Sequence, residues 1–464
     1  MKLSFRKVVY SVVTSILMKL CLAVYDLRQN TLLSQGLKCS RGVRPVCVFA
    51  LFLTTRLFAS DFAGEWELAV NYMGDTNFSR LILKVESAKV SGTLLNVLPV
   101  EGTASNDFLT FTAKRSNGSL FGEFSGNAHG DILEGTGKQG QRKVTWLAKR
   151  TITPPPAPRV HDFEPNVFHR FFSDAIPPAL RIFPGDTVRT WTVDAGGVDS
   201  KGVQQCPGGN PETGPFYVEG ALPGDTLAVT LKRLRLDRDT ARSGSQVDGT
   251  AVTPDYVQRT KYNDEFDSTW SLDLEHGLAR LKQPSTHLTN YTVKLRPMLG
   301  CVGVAPPGHQ SFRTGWLGYY GGNMDCNQIC EGTTVYLPVS VPGALLFIGD
   351  GHAAQGDGEL TGDALETSEH VEITVNVIRG EPGIGPHAEN DEYFMFFGIA
   401  NSYPEAVQSA TTGLANWLKR EHKLEPNEIA MVLGTALQYN IAELVDPQIH
   451  MVARIRKEAL AALK

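Results

Sequence analysis

The segment from Gly349 to Glu359, GDGHAAQGDGE, places a histidine, a glutamine and three acids within eleven residues. It follows the apolar run Ala344–Ile348, so a buried strand is expected to deliver a Gly-rich loop. Glycines let the backbone approach a ligand closely, while carboxylates and imidazole supply cation ligands and proton carriers. The spacing therefore predicts a site for a cation or a polar substrate.

Single residues of this kind also have simpler interpretations. A histidine in a Gly-rich loop is often only hydrogen-bonded to backbone, and the acidic neighbours of His352 are what favour a functional role. Glu219 lies among apolar and small residues in VEGALPGD, where an unpaired acid would be costly to bury. It is interpreted as a proton-transfer or metal-contacting group, with a strand-end carboxylate facing water as the alternative. Asp350 and Asp357 are expected to stabilise the loop by accepting backbone N–H bonds.

Six motifs occur in a fixed order along the second part of the chain. They are FPGDTV after Pro177, DAGG from Asp194, GPFYVEGALPGDTL from Gly214, GCVGVAP from Gly300, GGNMD ending at Asp325, and GDGHAAQGDGE. This series resembles the acetamidase/formamidase family of small linear amide hydrolases, from about Val160 to the C-terminus. The segment from Val198 to Pro211 departs from the family pattern, which leaves the size of the substrate open.

The resemblance implies a mainly β (α+β) fold in which a β-sandwich catalytic domain carries C-terminal helices. It also implies a bound divalent metal, taken as zinc with calcium as the alternative, and release of ammonia from a short amide. The residues expected to bind the metal are His169, Asp194, Asp325 and His352. Those expected to act in catalysis are Glu219, His352, Gln355 and Glu359. Asn323 and Gly351 are expected to contact the substrate.

Amide hydrolysis needs a nucleophilic water, a group that stabilises the developing oxyanion, and an acid that protonates the leaving nitrogen. A divalent ion can meet the first two needs. Cys206, in a Gly/Pro-rich loop, is the candidate for a competing nucleophilic mechanism, and the GxSxG motif of serine hydrolases is absent. A secreted, non-catalytic metal- or ligand-binding protein is the rival from another functional class. Calcium alone would have little use for the imidazole of His352.

Composition excludes some partners and predicts others. The chain has 464 residues and a net charge of −5, with no basic stripe, so nucleic acid is an unexpected partner.

Two apolar runs in the first sixty residues, Val8–Met18 and Val46–Thr55, follow basic residues and are too short to span a bilayer easily. Residues 1–60 are interpreted as a leader, with secretion or a periplasmic location and no membrane span in the mature form. A homo-oligomer is compatible with the sequence.

The remaining chain divides at the proline run TITPPPAPR, residues 151–159. Residues 62–150 alternate apolar and polar positions between turn residues, which predicts a small antiparallel sandwich or barrel with Trp66 and Trp146 in its core. Residues 160–464 are interpreted as the catalytic domain. Two PGDT turns in it are predicted to launch strands at Thr187 and Thr226.

Later segments are patterned differently. Pro404–His422 and Pro426–Glu443 have helical periodicity and a proline suited to the first turn. Thr240–Leu288 is polar and weakly patterned, and is interpreted as a long insertion or lid-like loop, with a disordered excursion as an equal alternative. Cys206, Cys301, Cys326 and Cys330 follow the presumed leader and permit up to two disulfides in three pairings, which the sequence cannot distinguish.

Overall fold

The computed structural model of this protein describes residues 62–380 and 385–463. The predicted leader, residues 1–60, lies outside these residues. Among the helices in the described ranges, none has both the length and the apolar character needed to cross a bilayer.

Eight antiparallel strands form a closed barrel at the start of the described chain. They are β1 (Gly64–Tyr72), β2 (Asp75–Glu86), β3 (Lys89–Leu94), β4 (Leu98–Ser105), β5 (Phe108–Lys114), β6 (Leu120–Ala128), β7 (Ile132–Gln139) and β8 (Arg142–Arg150). Each strand pairs with the next, and β8 closes on β1 with Val70 opposite Trp146. Period-two alternation buries Trp66 and Trp146 inside, as the sequence predicts.

The rest of the described chain contains two larger sheets that pack as a sandwich, together with a four-stranded sheet and a two-stranded sheet. Its strands up to the middle of the chain are β9 (Val160–Asp162), β10 (Phe171–Ser173), β11 (Leu180–Ile182), β12 (Thr187–Thr192), β13 (Thr213–Val218), β14 (Thr226–Leu236), β15 (Thr240–Arg242), β16 (Thr269–Asp273), β17 (Leu278–Leu281) and β18 (Val293–Lys294). The later strands are β19 (Met298–Val304), β20 (Ser311–Arg313), β21 (Leu317–Gly318), β22 (Gly321–Asn323), β23 (Thr334–Pro338), β24 (Leu346–His352), β25 (Glu369–Ile378), β26 (His387–Glu389), β27 (Tyr393–Ala400), β28 (Gln438–Glu443) and β29 (Ile449–Arg456).

A six-stranded sheet has the order β11-β13-β24-β19-β22-β21, and a nine-stranded sheet has the order β28-β29-β27-β26-β23-β14-β25-β12-β9. Apolar side chains of both sheets share one core, to which Val302 and Phe347 of the first and Val229 and Ile373 of the second contribute. This packing confirms the mainly β, sandwich-type fold class.

Both predicted PGDT turns form and launch strands of the same sheet. The carboxylates of Asp186 and Asp225 each accept an N–H bond at 3.0 Å from the residue three positions earlier, Phe183 and Leu222 respectively. The strands that follow, β12 and β14, pair with opposite edges of β25. The recurring motif therefore places two equivalent strands on either side of a central one.

The helices are α1 (Pro254–Arg259), α2 (Tyr403–His422), α3 (Pro426–Ala436) and α4 (Lys457–Leu460). Leu414 and Trp417 of α2 pack with Phe396 and Ile455 of the nine-stranded sheet. The prediction that the second long helix extends to Glu443 is wrong, because Leu437 is already extended and the next residues form β28 against β29.

The interpretation of Thr240–Leu288 as a lid-like loop or a disordered excursion is also wrong, because the segment contains strands. Three strands in this range, β15, β16 and β17, form a four-stranded antiparallel sheet with β18. The strands are two to five residues long, so the period-two pattern is too brief to recognise in the sequence. Leu272 and Ala279 of this sheet share a buried cluster with Ala353, inside the Gly-rich segment, and with Leu365, which follows it.

Candidate functional site

Three neighbouring strands of the six-stranded sheet position the candidate residues. β19 lies between β24 and β22. His352 is the last residue of β24, and Asp350, two residues earlier, lies on the same face of the sheet. β22 leads into Asp325, whose N–H donates to the carbonyl of Gly300, in β19, at 3.1 Å. The sheet therefore brings two separate sequence motifs to the same place.

Five buried residues form what we call the His352 cluster: Asp325, Asp350, His352, Glu359 and Glu366. Nε2 of His352 lies 3.1 Å from Oε1 of Glu366, 3.4 Å from Oδ1 of Asp350 and 4.0 Å from Oδ1 of Asp325. Two overlapping sets, Asp325 with Asp350 and His352, and Glu359 with Glu366 and His352, have ligand atoms within 4.8 Å of one another.

Gln355 determines which nitrogen of His352 is available to a ligand. The amide nitrogen of Gln355 donates to the carbonyls of Asp325 and Ala442, which can only accept. Its Oε1 must therefore be the atom that lies 3.0 Å from Nδ1 of His352, and Nδ1 must carry the hydrogen. Nε2, which faces the surrounding carboxylates, is then the nitrogen whose lone pair a bound cation would take. This is how a metal-binding histidine is usually held by its second nitrogen.

The cluster fits a cation. Oδ1 of Asp325, Oδ1 of Asp350 and Oε2 of Glu366 are buried and have no hydrogen-bond partner among the described residues. Buried carboxylates without donors are costly unless a positive charge compensates them. Gly300 keeps the space between them open, since a Cβ there would lie 2.4 Å from Asp325 Oδ1 and 2.6 Å from Asp350 Oδ2.

The pKa shifts within the His352 cluster also favour a bound cation. Burial, with the nearby charges of Glu359 and Asp350, raises the pKa of Asp325 well above its ordinary value. Burial raises the pKa of Glu366 to about 7, although the nearby His352 opposes the rise. Burial alone would lower the pKa of His352, but attraction to Glu366 and Asp350 raises it well above its usual range. The carboxylates repel one another, and a cation would relieve that repulsion.

Three of the cluster acids have left-handed backbone conformations. Asp325, Asp350 and Glu359 have φ values of 41°, 57° and 48°. Residues other than glycine rarely adopt this region, and such strain is concentrated at functional sites. The backbone thus turns sharply at the positions where the carboxylates converge.

Asn323 and Asn210 hold the carboxylates in place. Nδ2 of Asn323 donates to Oδ2 of Asp325 at 2.6 Å and to Oδ2 of Asp446 at 2.5 Å. Nδ2 of Asn210 donates to Oδ1 of Asn323 at 2.7 Å and to Oδ2 of Asp350 at 3.0 Å. The structure therefore gives Asn323, predicted to contact substrate, the role of orienting two acids.

Several predicted residues lie outside the cluster. Glu219 accepts a 2.6 Å bond from Nε of Arg181. Asp194 pairs with Arg238 at 2.7 Å, so it is neutralised by a cation of the protein itself. The carboxyl groups of both residues are therefore engaged in structural ion pairs elsewhere.

His169 and Gly351 also face other surroundings. His169 exchanges backbone hydrogen bonds with Glu212, and burial lowers the pKa of its ring. It is in neither of the two sets of grouped ligand atoms. Gly351 faces away from His352, since a Cβ there would lie 2.8 Å from Cγ of Glu369. Alternation along β24 explains this, because Gly351 lies between two residues that face the cluster.

The sequence interpretation missed part of the site. Asp350 was expected only to stabilise its loop, yet it lies beside Nε2 of His352. Glu212 and Glu369 are completely buried, and none of their carboxylate oxygens has a partner in the described part of the chain. Neither acid belongs to a recognisable motif. The one available signal was the energetic cost of placing a lone carboxylate in a sheet interior.

A cleft of about 780 Å³ leads to the cluster. Gln355 and Glu359 line it, together with the loop that continues to Leu365. The cleft therefore reaches the cluster at Glu359, the one cluster member in its lining.

The cysteines do not form an alternative site. Cys206, Cys301, Cys326 and Cys330 are free thiols. Burial raises the pKa of Cys206 although the nearby charge of Arg170 opposes the rise, so the reactive thiolate is disfavoured.

Comparison with known proteins confirms the family resemblance. Residues 308–449 match the model of the Acetamidase/Formamidase family, a shorter range than the sequence motifs indicate. A stretch of 61 residues is 41% identical to the formamidase of Methylophilus methylotrophus and covers 13% of this chain and 15% of that protein. The chain matches the curated relatives over no more than 23% of their own length.

Solved structures match over a longer range. The acetamidase from Yersinia enterocolitica has a TM-score of 0.56 and 27% identity, over 67% of this chain and 96% of that one. The acetamidase from Bacillus halodurans has a TM-score of 0.54 and 27% identity, over 65% of this chain and 99% of that one.

Proposed function

We propose that this protein hydrolyses the C–N bond of small linear amides to a carboxylate and ammonia. The observation that carries the proposal is the His352 cluster, whose buried, unpartnered carboxylate oxygens surround one imidazole nitrogen beside an open cleft. The likeness to acetamidase structures supports the choice of amides over other substrates.

The residues proposed to hold a divalent ion are His352 through Nε2, with Asp325, Asp350 and Glu366. A bound divalent ion would polarise the amide carbonyl and lower the pKa of a water from about 16 toward roughly 7. Zinc is the proposed metal because it accepts mixed imidazole and carboxylate ligands, and calcium is the alternative for a site rich in oxygens.

Glu359 is the proposed proton carrier. It lines the cleft and belongs to the His352 cluster, so it can reach both a bound amide and the buried acids. Burial raises its pKa well above the ordinary value, although His352 opposes the rise. A carboxyl group whose pKa is raised by burial can take a proton from water and give it to the departing nitrogen. In this scheme Gln355 acts through His352, as a positioning residue.

The test is ammonia release from formamide and acetamide by the purified full chain, with metal content measured on the same sample. We expect release to stop after chelation and to return with zinc. The His352→Ala variant should lose at least about a hundredfold in kcat/KM. The matched control is His276→Ala, because His276 is exposed and pairs only with Asp273 of its own turn.

Two results would count against the proposal. Full turnover by the chelated, metal-free protein would remove the metal from the mechanism. Metal or amide binding with no ammonia release from any amide would favour the non-catalytic binding protein.

We also propose export of the mature protein, supported by the two short apolar runs that follow basic residues near the N-terminus. N-terminal sequencing of protein recovered outside the cytoplasm should give a first residue near position 60. Recovery of the intact N-terminus from the cytoplasm alone would contradict export.

A further inference from the structure

The cleft beside the His352 cluster is much larger than the simplest amides. A molecule the size of acetamide occupies about the volume of three waters, roughly 90 Å³. The cleft has a volume of about 780 Å³, which lies in the range of sites for far larger ligands. A substrate of acetamide size would leave most of the cleft filled with water.

The wall contributed by residues 270–295 carries aromatic and apolar side chains, with the ammonium group of Lys294 among them. Trp270 and Tyr291 line the cleft with ring centroids 6.3 Å apart in an edge-to-face arrangement. Val293 and Leu295 continue the same wall, and Leu295 packs against the buried residues around Ala353. Such a surface contributes the most binding free energy when it covers an apolar or aromatic group of a ligand.

The wall is built in advance of any ligand. Nε1–H of Trp270 donates to Oγ of Ser243 at 3.0 Å, which fixes the plane of the indole ring. Trp270 is in β16, and its strand pairs with β15 and β17. Preorganised side chains lose little freedom on binding, so their contacts translate efficiently into affinity.

The cleft also has a polar, reactive part. Gln355 and Glu359 line it, and both contact or adjoin His352. A substrate that places its amide group at these residues would extend its acyl substituent along the wall of Trp270 and Tyr291. The two linings therefore match the two ends of one molecule.

We propose that the preferred substrates are primary amides with an aryl-alkyl acyl group, such as phenylacetamide, rather than formamide or acetamide. This inference rests on the proposed amide hydrolysis and concerns the substrate class. The four-stranded sheet β15–β18 is the element that sets this preference.

The experiment compares kcat/KM for acetamide, hexanamide and phenylacetamide with the purified full chain. We expect phenylacetamide to exceed acetamide by at least about tenfold, since apolar contacts of one or more methylene groups commonly give this discrimination. Equal values, or a preference for acetamide, would overturn the inference.

A variant pair tests the wall itself. Tyr291→Ala should lower kcat/KM for phenylacetamide about three- to tenfold and leave that for acetamide within about twofold. The control is Tyr256→Ala, because Tyr256 has a similar exposure, 45% against 52%, and lies on α1 of the same insertion away from the cleft lining. An equal loss for both substrates in Tyr291→Ala would contradict a role in specificity.

Binding separates failure of this inference from failure of the proposed function. Calorimetric titration with phenylacetate and acetate, the expected products, reports on the cleft without requiring turnover. Suppose that phenylacetate binds more tightly than acetate, that Tyr291→Ala weakens its binding, and that no amide is hydrolysed. This result would support the proposed ligand preference of the cleft and contradict the enzyme activity. Acetamide hydrolysis with no preference between the two acids would retain the activity and overturn the substrate class.

Discussion

Gly300 determines how closely the ligands around His352 can approach one another. The carboxylates of Asp325 and Asp350 and the ring of His352 would all lie within 2.9 Å of a Cβ at this position. The backbone of Gly300 has no positive φ, so the requirement for glycine is one of space. In the sequence, Gly300 is marked only by the motif GCVGVAP, in which Cys301 is the one reactive side chain.

We predict that Gly300→Ala will separate the ligands by several tenths of an ångström or more. Metal content should fall, and kcat/KM should drop by about a hundredfold, because displacements of this order misalign reacting groups. Metal analysis and ammonia release would measure the effect. Gly434→Ala is the control, since its Cβ would meet nothing within 4 Å. Retention of metal and turnover in Gly300→Ala would contradict the assigned geometry.

At this scale, motif membership indicates some residues that lie together and others that do not, since Asp194 and Glu219 also belong to motifs and are paired elsewhere. His352, Asp325, Glu359 and Gln355 were identified that way and lie together. Glu219 was selected because a buried acid needs a partner, and the partner is Arg181, 38 residues earlier in the chain. The identity of a distant partner depends on the tertiary fold, so the sequence alone could not distinguish a catalytic acid from a paired one.

At the scale of elements, local patterns predicted the long members and missed the short ones. The barrel strands and α2 repeat their apolar period several times, so their positions could be read directly. The end of α3 could not be predicted from the sequence, because the helical pattern continues into residues that instead pair as β28 with β29. The sheet β15–β18 consists of strands too short for a reliable period, and it contributes Trp270, Val293 and Lys294 to the lining of the cleft.

Strand β29 has a buried histidine next to the site, His450. Its Nδ1–H donates to the carbonyl of Met324 at 2.6 Å, and Nε2 has no partner among the described residues. Burial lowers the pKa of His450 to about 4. In the unfolded chain the group would take up a proton near pH 6.5, so the folded state loses stability as the pH falls from about 6.5 to 4.

We therefore predict that His450 reduces the free energy of unfolding by about 2 kcal/mol at pH 5 relative to pH 7. His450→Asn retains a donor near Nδ1 and removes the titrating ring, so its stability should fall less over this interval. Urea unfolding at both pH values measures the difference. His276→Asn should behave like the parent protein, because that ring is exposed. Identical pH dependence in His450→Asn and the parent would refute the prediction.

At the scale of the whole molecule, the barrel is joined to the sandwich by a buried ion pair. Arg80 of β2 donates to both carboxylate oxygens of Asp225 at 2.9 Å, and its Nε donates to Glu65 at 2.8 Å. The side chains of Arg80 and Asp225 are 1% and 0% exposed. Asp225 belongs to the second PGDT turn, whereas the equivalent acid of the first turn, Asp186, pairs with Arg159 and His161. One sequence motif thus obtains its countercharge from two different parts of the chain.

We predict that Arg80→Ala lowers the free energy of unfolding by about 3–5 kcal/mol, since it leaves Asp225 without its buried cation. Chemical denaturation of the full chain would measure the loss. Arg142→Ala is the control within the same barrel: this residue is exposed and stacks over Tyr72, so its loss should cost less than about 1 kcal/mol. Similar stability of the two variants would show that the ion pair has no net effect.

The position of Arg80 also has a practical consequence for cloning. A shortened gene that begins after residue 150 would retain every member of the His352 cluster but would uncover a carboxylate built to meet a guanidinium. Such a shortened protein would thus be a poorer reagent for crystallography or assay than the longer one, unless Asp225 were exchanged for asparagine at the same time.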